Sequence, residues 1–128
     1  MTTTLWVALG SAIGGAARYW CSGLIASRAG EAFPWGTLAV NVVGSVAIGL
    51  FATLSAAEGR WLLPPEVRQF VAVGLLGGFT TFSSFSLQTF ALFNDGEWLA
   101  AAVNIVASVA LCMLGVWLGH TVGVQLNR

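Results

Sequence analysis

Gly74-Leu-Leu-Gly-Gly-Phe-Thr-Thr-Phe-Ser-Ser-Phe-Ser86 lies within an uncharged run from Gln69 to Asn94, and its reading decides the rest of the chain. The run is apolar enough to enter a bilayer, yet its centre is rich in glycine and hydroxyls. Adjacent Gly77 and Gly78 weaken a helix by about 1 kcal/mol each relative to alanine. The sequence therefore predicts a helix broken near Gly77-Gly78, whose freed backbone groups must find partners inside the protein or along a wet cavity. Beyond the glycines, Phe82 and Phe85 lie one turn apart on a shared face, interleaved with Thr80, Thr81, Ser83, Ser84 and Ser86. Aromatics at helical spacing commonly pack in a core; the flanking hydroxyls favour a pair that faces a ligand.

Composition fixes the class around this stretch. Of 128 residues, 57% are hydrophobic and 8% charged, a balance that a water-soluble domain of this size could not carry on its surface. A spanning helix needs about 20 apolar residues, and the chain divides into four such spans, at about 5–26, 36–56, 69–93 and 98–123. The loops between them are too short for a soluble domain, so residues 1–128 form a single four-helix, all-α membrane domain. No basic region precedes the first span, which argues against a cleaved signal peptide. Formal charge is zero with the five basic residues scattered, leaving no electrostatic footprint for nucleic acid and no polybasic tail for lipid. Cys21 and Cys112 fall inside spans, where a small buried thiol is expected rather than a bridge or metal pair.

In the first span, Gly10 and Gly14, with Ser11 and Gly15 beside them, let another helix approach closely. Arg18 is the one full charge at depth, either an anchor reaching the nearer interface or an electropositive vestibule for anions. Phe33-Pro34-Trp35 makes an interfacial cluster before the second span. There Thr37, Asn41 and Ser45 recur every four residues, one polar stripe that must face protein or water. Asn41 is its most demanding member, because an amide must satisfy two donors as well as its acceptor; interhelical glue and a pore lining both remain open. In the fourth span Asn104, Ser108 and Cys112 form a second stripe beside a ridge of Gly115, Gly119 and Gly123. His120, near the end of that span, is an interfacial residue with no assigned role. Arginines divide almost evenly between the two sides, with no lysine in the chain, so insertion in both directions is permitted.

These spans contain no Asp, Glu, Lys or mid-span His. Proton-coupled transport loses its usual carriers, and no carboxylate pair, metal-ligand spacing, nucleophile with a base or nucleotide loop is present. The chain reads as no enzyme. What remains is a neutral path of hydroxyls, amides and ring edges, suited to a small ion that trades water for weak ligands in series. Donors and the positive edge of a phenyl ring favour an anion, whereas carbonyls freed at a broken helix suit a hard cation.

Gly36-Thr-Leu-Ala-Val-Asn41-Val-Val-Gly44 and Gly77-Gly-Phe-Thr-Thr-Phe-Ser-Ser-Phe-Ser86, with Gly14-Gly15-Ala-Ala-Arg18-Tyr19, resemble the Fluc (CrcB-like) fluoride channels over the full length. The resemblance implies passive, fluoride-selective export by an antiparallel, dual-topology homodimer with two pores; the small size and the lack of a targeting segment make a bacterial inner membrane the expected location. It implies that Phe82 and Phe85 offer ring edges to fluoride, that Asn41 donates beside them, and that Arg18 sits near the vestibule. Gly77 and Thr80 would offer backbone carbonyls to a structural sodium ion at the dimer centre. Together with the stripes, this makes Phe82, Phe85, Asn41, Ser108, Asn104, Cys112, Thr37 and Ser84 the candidate fluoride path. Asn104 and Cys112 depart from the Tyr and Ser or Thr common in relatives, and Gln88 stands where some relatives carry Glu. The competing expectations are a small dual-topology multidrug-type transporter and a non-conducting membrane assembly subunit.

Overall fold

The computed structural model describes residues 1–128. Six α-helical segments and one π-helical segment follow each other with no strand: α1 Thr2–Ala29, α2 Trp35–Leu54, α3 Pro65–Gln69, the π segment Phe70–Leu76, α4 Gly77–Phe79, α5 Phe82–Asn94 and α6 Trp98–Asn127. Trp35–Leu54, Pro65–Asn94 and Trp98–Asn127 are each long and apolar enough to cross a membrane. The sequence suggests a fourth such helix; α1 has the length, at 28 residues, but carries three threonines at its start and Arg18 within it. Its glycines nonetheless seat it along the third span, so four helical rods make one bundle.

Local chemistry sets the ends. Gly30, with φ of 86°, closes α1 by returning its N–H to the Ala26 carbonyl at 2.9 Å, a backbone conformation that glycine adopts without penalty. Pro65 occupies the first turn of α3, where a missing N–H costs nothing. Asp95-Gly96 turns the chain between α5 and α6, Gly96 taking φ of 77°.

Packing is by glycine against backbone. A Cβ added at Gly10 would lie 2.9 Å from the Cα of Gly74, and one at Gly78 would lie 2.8 Å from the Ser11 carbonyl oxygen. On the other side of the bundle, Gly119 of α6 faces the backbone of Val46 and Leu50 in α2, and Gly49 of α2 faces the Val116 carbonyl in return. Such contact lets dispersion attraction act between main chains where no hydrophobic driving force exists in lipid. Only 20 of 128 residues are buried, and many apolar side chains, including Trp20, Val106 and Trp117, lie exposed on the surface of the bundle.

The break in the third span is displaced from its expected place. Gly77 is helical, with φ −64° and ψ −36°, and α4 continues through Phe79. The chain extends instead at Thr80 (ψ 159°) and Thr81 (φ −154°, ψ 115°). Gly78 serves close approach to α1 rather than interruption. The two threonines are β-branched and favour the extended region. Just upstream, the Gly77 N–H reaches back five residues to the Ala72 carbonyl, the wide turn of a π segment.

Cys21 and Cys112 are both free. Cys21 is exposed on the outer face of α1 rather than buried, because the packing face of that helix is the glycine face.

Candidate functional site

The helix break is held open by one side chain. Asn41 Nδ2 donates to the Thr81 carbonyl at 2.9 Å, and the Thr81 N–H donates to Asn41 Oδ1 at 2.7 Å. The carboxamide thus reproduces a two-bond peptide pairing across α2 and the break. Asn41 is itself steadied, its carbonyl accepting from Ser45 Oγ at 2.7 Å. Thr81 then caps α5: its Oγ1 accepts from the Ser84 N–H at 3.2 Å and donates to Ser84 Oγ at 3.1 Å.

Two consequences follow at the break. The Thr81 N–H, turned toward Asn41, no longer serves the Gly77 carbonyl four residues earlier, and that oxygen loses its ordinary helical donor. On the far side, α5 presents its positive N-terminal end. Carbonyl oxygens and backbone donors therefore face opposite ways across two extended residues. Thr80 stays tied upstream, its Oγ1 donating to the Leu76 carbonyl at 3.0 Å, while its Cγ2 lies where a Cβ on Gly44 would have to go.

Beside the break opens a cleft of about 390 Å³, walled by α2, the stretch 76–81, α5 and α6 and lined by Asn41, Ser45, Gly77, Thr80, Phe82, Phe85, Ser108 and Cys112. The Phe82 and Phe85 rings stand 5.2 Å apart at 49°. Phe85 is 8% exposed within the fold, whereas Phe82 is 77% exposed and projects from it. One ring is thus fixed by its own chain, and the other stands at the surface of the bundle.

The remaining sequence candidates are not gathered there. Asn104 is 1% exposed and sits behind the cleft, its Nδ2 donating to Thr89 Oγ1 at 2.8 Å. Ser84 is half-buried with its hydroxyl engaged by Thr81. Thr37 lines a second cleft, also about 390 Å³, with Ser22, Glu31, Gln88 and Asp95. Gln88 Oε1 is buried there without a hydrogen-bond partner. Arg18 is half-buried on α1 and lines neither cleft; its carbonyl accepts from Ser22 Oγ at 2.7 Å.

Some residues that shape the site carry little signal in the sequence. Thr81 is the hinge of the break, and in the sequence it shows only as one of the hydroxyl residues that follow the glycines. Thr89, bonded to Asn104 and to the Phe85 carbonyl, shows itself only as a residue four beyond Phe85. Gly44 gives no chemical signal at all; its part is to leave room for Thr80. Away from the cleft, His120 Nδ1 lies 2.8 Å from Thr53 Oγ1, tying the ends of α6 and α2.

An all-helical membrane protein with an interrupted span, whose break opens onto a cleft of hydroxyls, an amide and two phenyl rings, has the architecture of a small-ion pathway. The family model described as CrcB-like protein, Camphor Resistance (CrcB), matches residues 5–120. The chain belongs to that family. Among its relatives, the fluoride-specific ion channel FluC of Paramagnetospirillum magneticum is 61% identical over 128 residues, the whole of both chains. The fluoride-specific ion channel FluC of Opitutus terrae is 58% identical over 127 residues, 99% of this chain and 96% of that one. The protein of the same name from Rhodospirillum rubrum is 55% identical over 126 residues, 98% of each.

Proposed function

We propose that this protein is a fluoride-selective channel that lets fluoride leave the cell passively. The carrying observation is the cleft beside the Thr80-Thr81 break, in a chain whose full-length relatives bear the name of fluoride-specific channels. Fluoride is small and tightly hydrated, so a path must replace its water with several donors while holding it weakly. Asn41 and Ser108 supply polar groups along the wall, and ring edges of Phe82 and Phe85 offer partial positive charge without a full cation. No full charge lines the cleft, which keeps each step shallow.

The functional unit we assign is an antiparallel, dual-topology homodimer with two pores, in a bacterial inner membrane. Its support is the 77% exposure of Phe82 at the mouth of the cleft, the outward-facing Ser83 and Ser86 beside it, and the even division of arginines. A second copy would cover hydroxyls that lipid would not. The freed Gly77 carbonyl, with the Thr80 carbonyl in extended backbone, fits a sodium ion shared between copies. Sodium would contribute fixed positive charge that ties the two breaks together. Gly44→Ala, which drives a methyl group into Thr80 Cγ2, is then expected to weaken the dimer, seen as monomer on size exclusion in sodium-containing detergent buffer.

The test is efflux from liposomes loaded with fluoride or with chloride. Fluoride release well above chloride release supports the channel, and equal release of the two, or none, overturns it. Phe82→Ile keeps bulk and removes the ring edge, and should lower fluoride efflux by about tenfold, the upper range for a single aromatic interaction. Wild-type efflux in that variant would remove Phe82 from the path.

A further inference from the structure

The geometry points to Thr89 as a positioning residue for the ion path, fixing the Asn104 carboxamide so that its oxygen, not its nitrogen, meets the Ser108 hydroxyl. This assignment rests on the fluoride-channel reading and deepens it at one wall of the cleft.

The number of available protons decides the orientation. A threonine hydroxyl has one proton to give, and that of Thr89 goes to the Phe85 carbonyl at 2.7 Å. Its oxygen can then only accept, and the group facing it at 2.8 Å must be a donor, which is Asn104 Nδ2. The carboxamide orientation follows, and Oδ1 is left toward Ser108 Oγ at 3.4 Å. All three side chains are buried, at 6%, 1% and 7% exposure for Thr89, Asn104 and Ser108, so water does not substitute for a missing partner.

Of the three, Ser108 alone lines the cleft. Its single proton has two claimants: the Asn104 oxygen behind it and any anion in front. A bond at 3.4 Å is near the limit of the interaction and weak. Ser108 can therefore swing its proton to a fluoride ion and return it to Asn104 when the ion moves on. A donor with a waiting acceptor holds an anion loosely, which serial conduction requires. If the carboxamide turned over, its NH2 would face Ser108 Oγ and release the hydroxyl proton wholly to the cleft. The ion would then be held more tightly and pass more slowly. Turning over forfeits the Thr89 bond to the Phe85 carbonyl, and this is how a residue that never reaches the cleft sets the strength of a step within it.

The experiment measures fluoride efflux from liposomes against internal fluoride concentration, with chloride-loaded vesicles alongside. Thr89→Val keeps the shape and removes the hydroxyl; the half-saturating fluoride concentration is expected to fall about tenfold, with slower efflux at saturation, as for one hydrogen bond of ordinary net strength. Thr89→Ser should recover most of the wild-type behaviour. In a Ser108→Ala background, Thr89→Val should produce no further change, because the coupling runs through Ser108. Asn104→Leu, which removes the acceptor behind Ser108, should shift half-saturation in the same direction, and decides the matter if Thr89→Val does not fold. Unshifted half-saturation in the folded Thr89→Val or Asn104→Leu variant overturns the assignment. So does an undiminished Thr89→Val effect without the Ser108 hydroxyl. A wild-type protein that releases no fluoride overturns the channel reading and this assignment with it; a conducting wild type with additive variants overturns this assignment alone.

Discussion

Asn41→Asp should reduce fluoride efflux by at least about a hundredfold while the protein remains a folded helical bundle. The carboxylate can keep the bond from the Thr81 N–H, now 2.7 Å from Oδ1, but its second oxygen would face the Thr81 carbonyl at the 2.9 Å now spanned by a donated proton. Two acceptors at that distance repel, and a carbonyl left without its donor costs about 1–3 kcal/mol. The larger effect is on the ion. A fixed negative charge on the cleft wall opposes an anion about 4 Å away by roughly 4 kcal/mol at the screening typical of partly exposed sites. That is about three decades in rate. Helical content by circular dichroism, together with efflux from liposomes, checks both halves: a folded variant that conducts like the wild type would show that Asn41 lies off the path.

Gly14→Ala and Gly15→Ala should differ more than any other adjacent pair in the chain. At Gly14, a Cβ would lie on the carbonyl oxygen of Leu75 and 2.9 Å from the Phe79 nitrogen, both backbone atoms that cannot step aside. At Gly15 it would meet nothing within 4 Å. Overpacking against main chain costs 1–3 kcal/mol or more, and at Gly14 it pushes α1 off the segment that carries the break. Gly15→Ala instead replaces a poor helix former and gains up to about 1 kcal/mol of helix propensity. The thermal midpoint in detergent should fall sharply for the first and hold or rise for the second. Equal midpoints would mean that α1 is free to move away from the third span.

Composition and run length alone mark α2, the third span and α6, whereas α1 has the length but falls short in apolarity and is marked by its glycines. The stripe carrying Asn41 and the phenyl pair were legible for a related reason: polar groups inside apolar runs must be satisfied, and helical spacing shows which of them share a face. The sequence predicts a break in this span but points three residues upstream of Thr80-Thr81, where the chain extends. Propensity favours interruption at Gly77-Gly78, yet the close approach of Ser11 to Gly78 holds those glycines helical, and the Asn41 carboxamide opens the chain where it can reach a peptide unit. Tertiary contact outweighed a local cost of about 1 kcal/mol per glycine. The Asn104 stripe was likewise legible as polar, but not its direction: the spacing that aligns Asn104 with Ser108 and Cys112 does not reveal that Thr89, on another helix, draws the amide behind the wall. Thr37 and Ser45 share a stripe, yet they open onto different clefts, because the break separates the two ends of that face.

The π segment over Phe70–Leu76 carries a consequence of its own. Closing hydrogen bonds over five residues rather than four turns the chain less per residue, so the third span acquires a phase lag before it reaches the glycines. A helical wheel drawn through Pro65–Asn94 with the usual angular step assigns the wrong azimuth to everything past Phe70. Substitutions chosen from such a wheel miss their intended face. For this span, angular bookkeeping has to restart at Gly77, and again at Phe82.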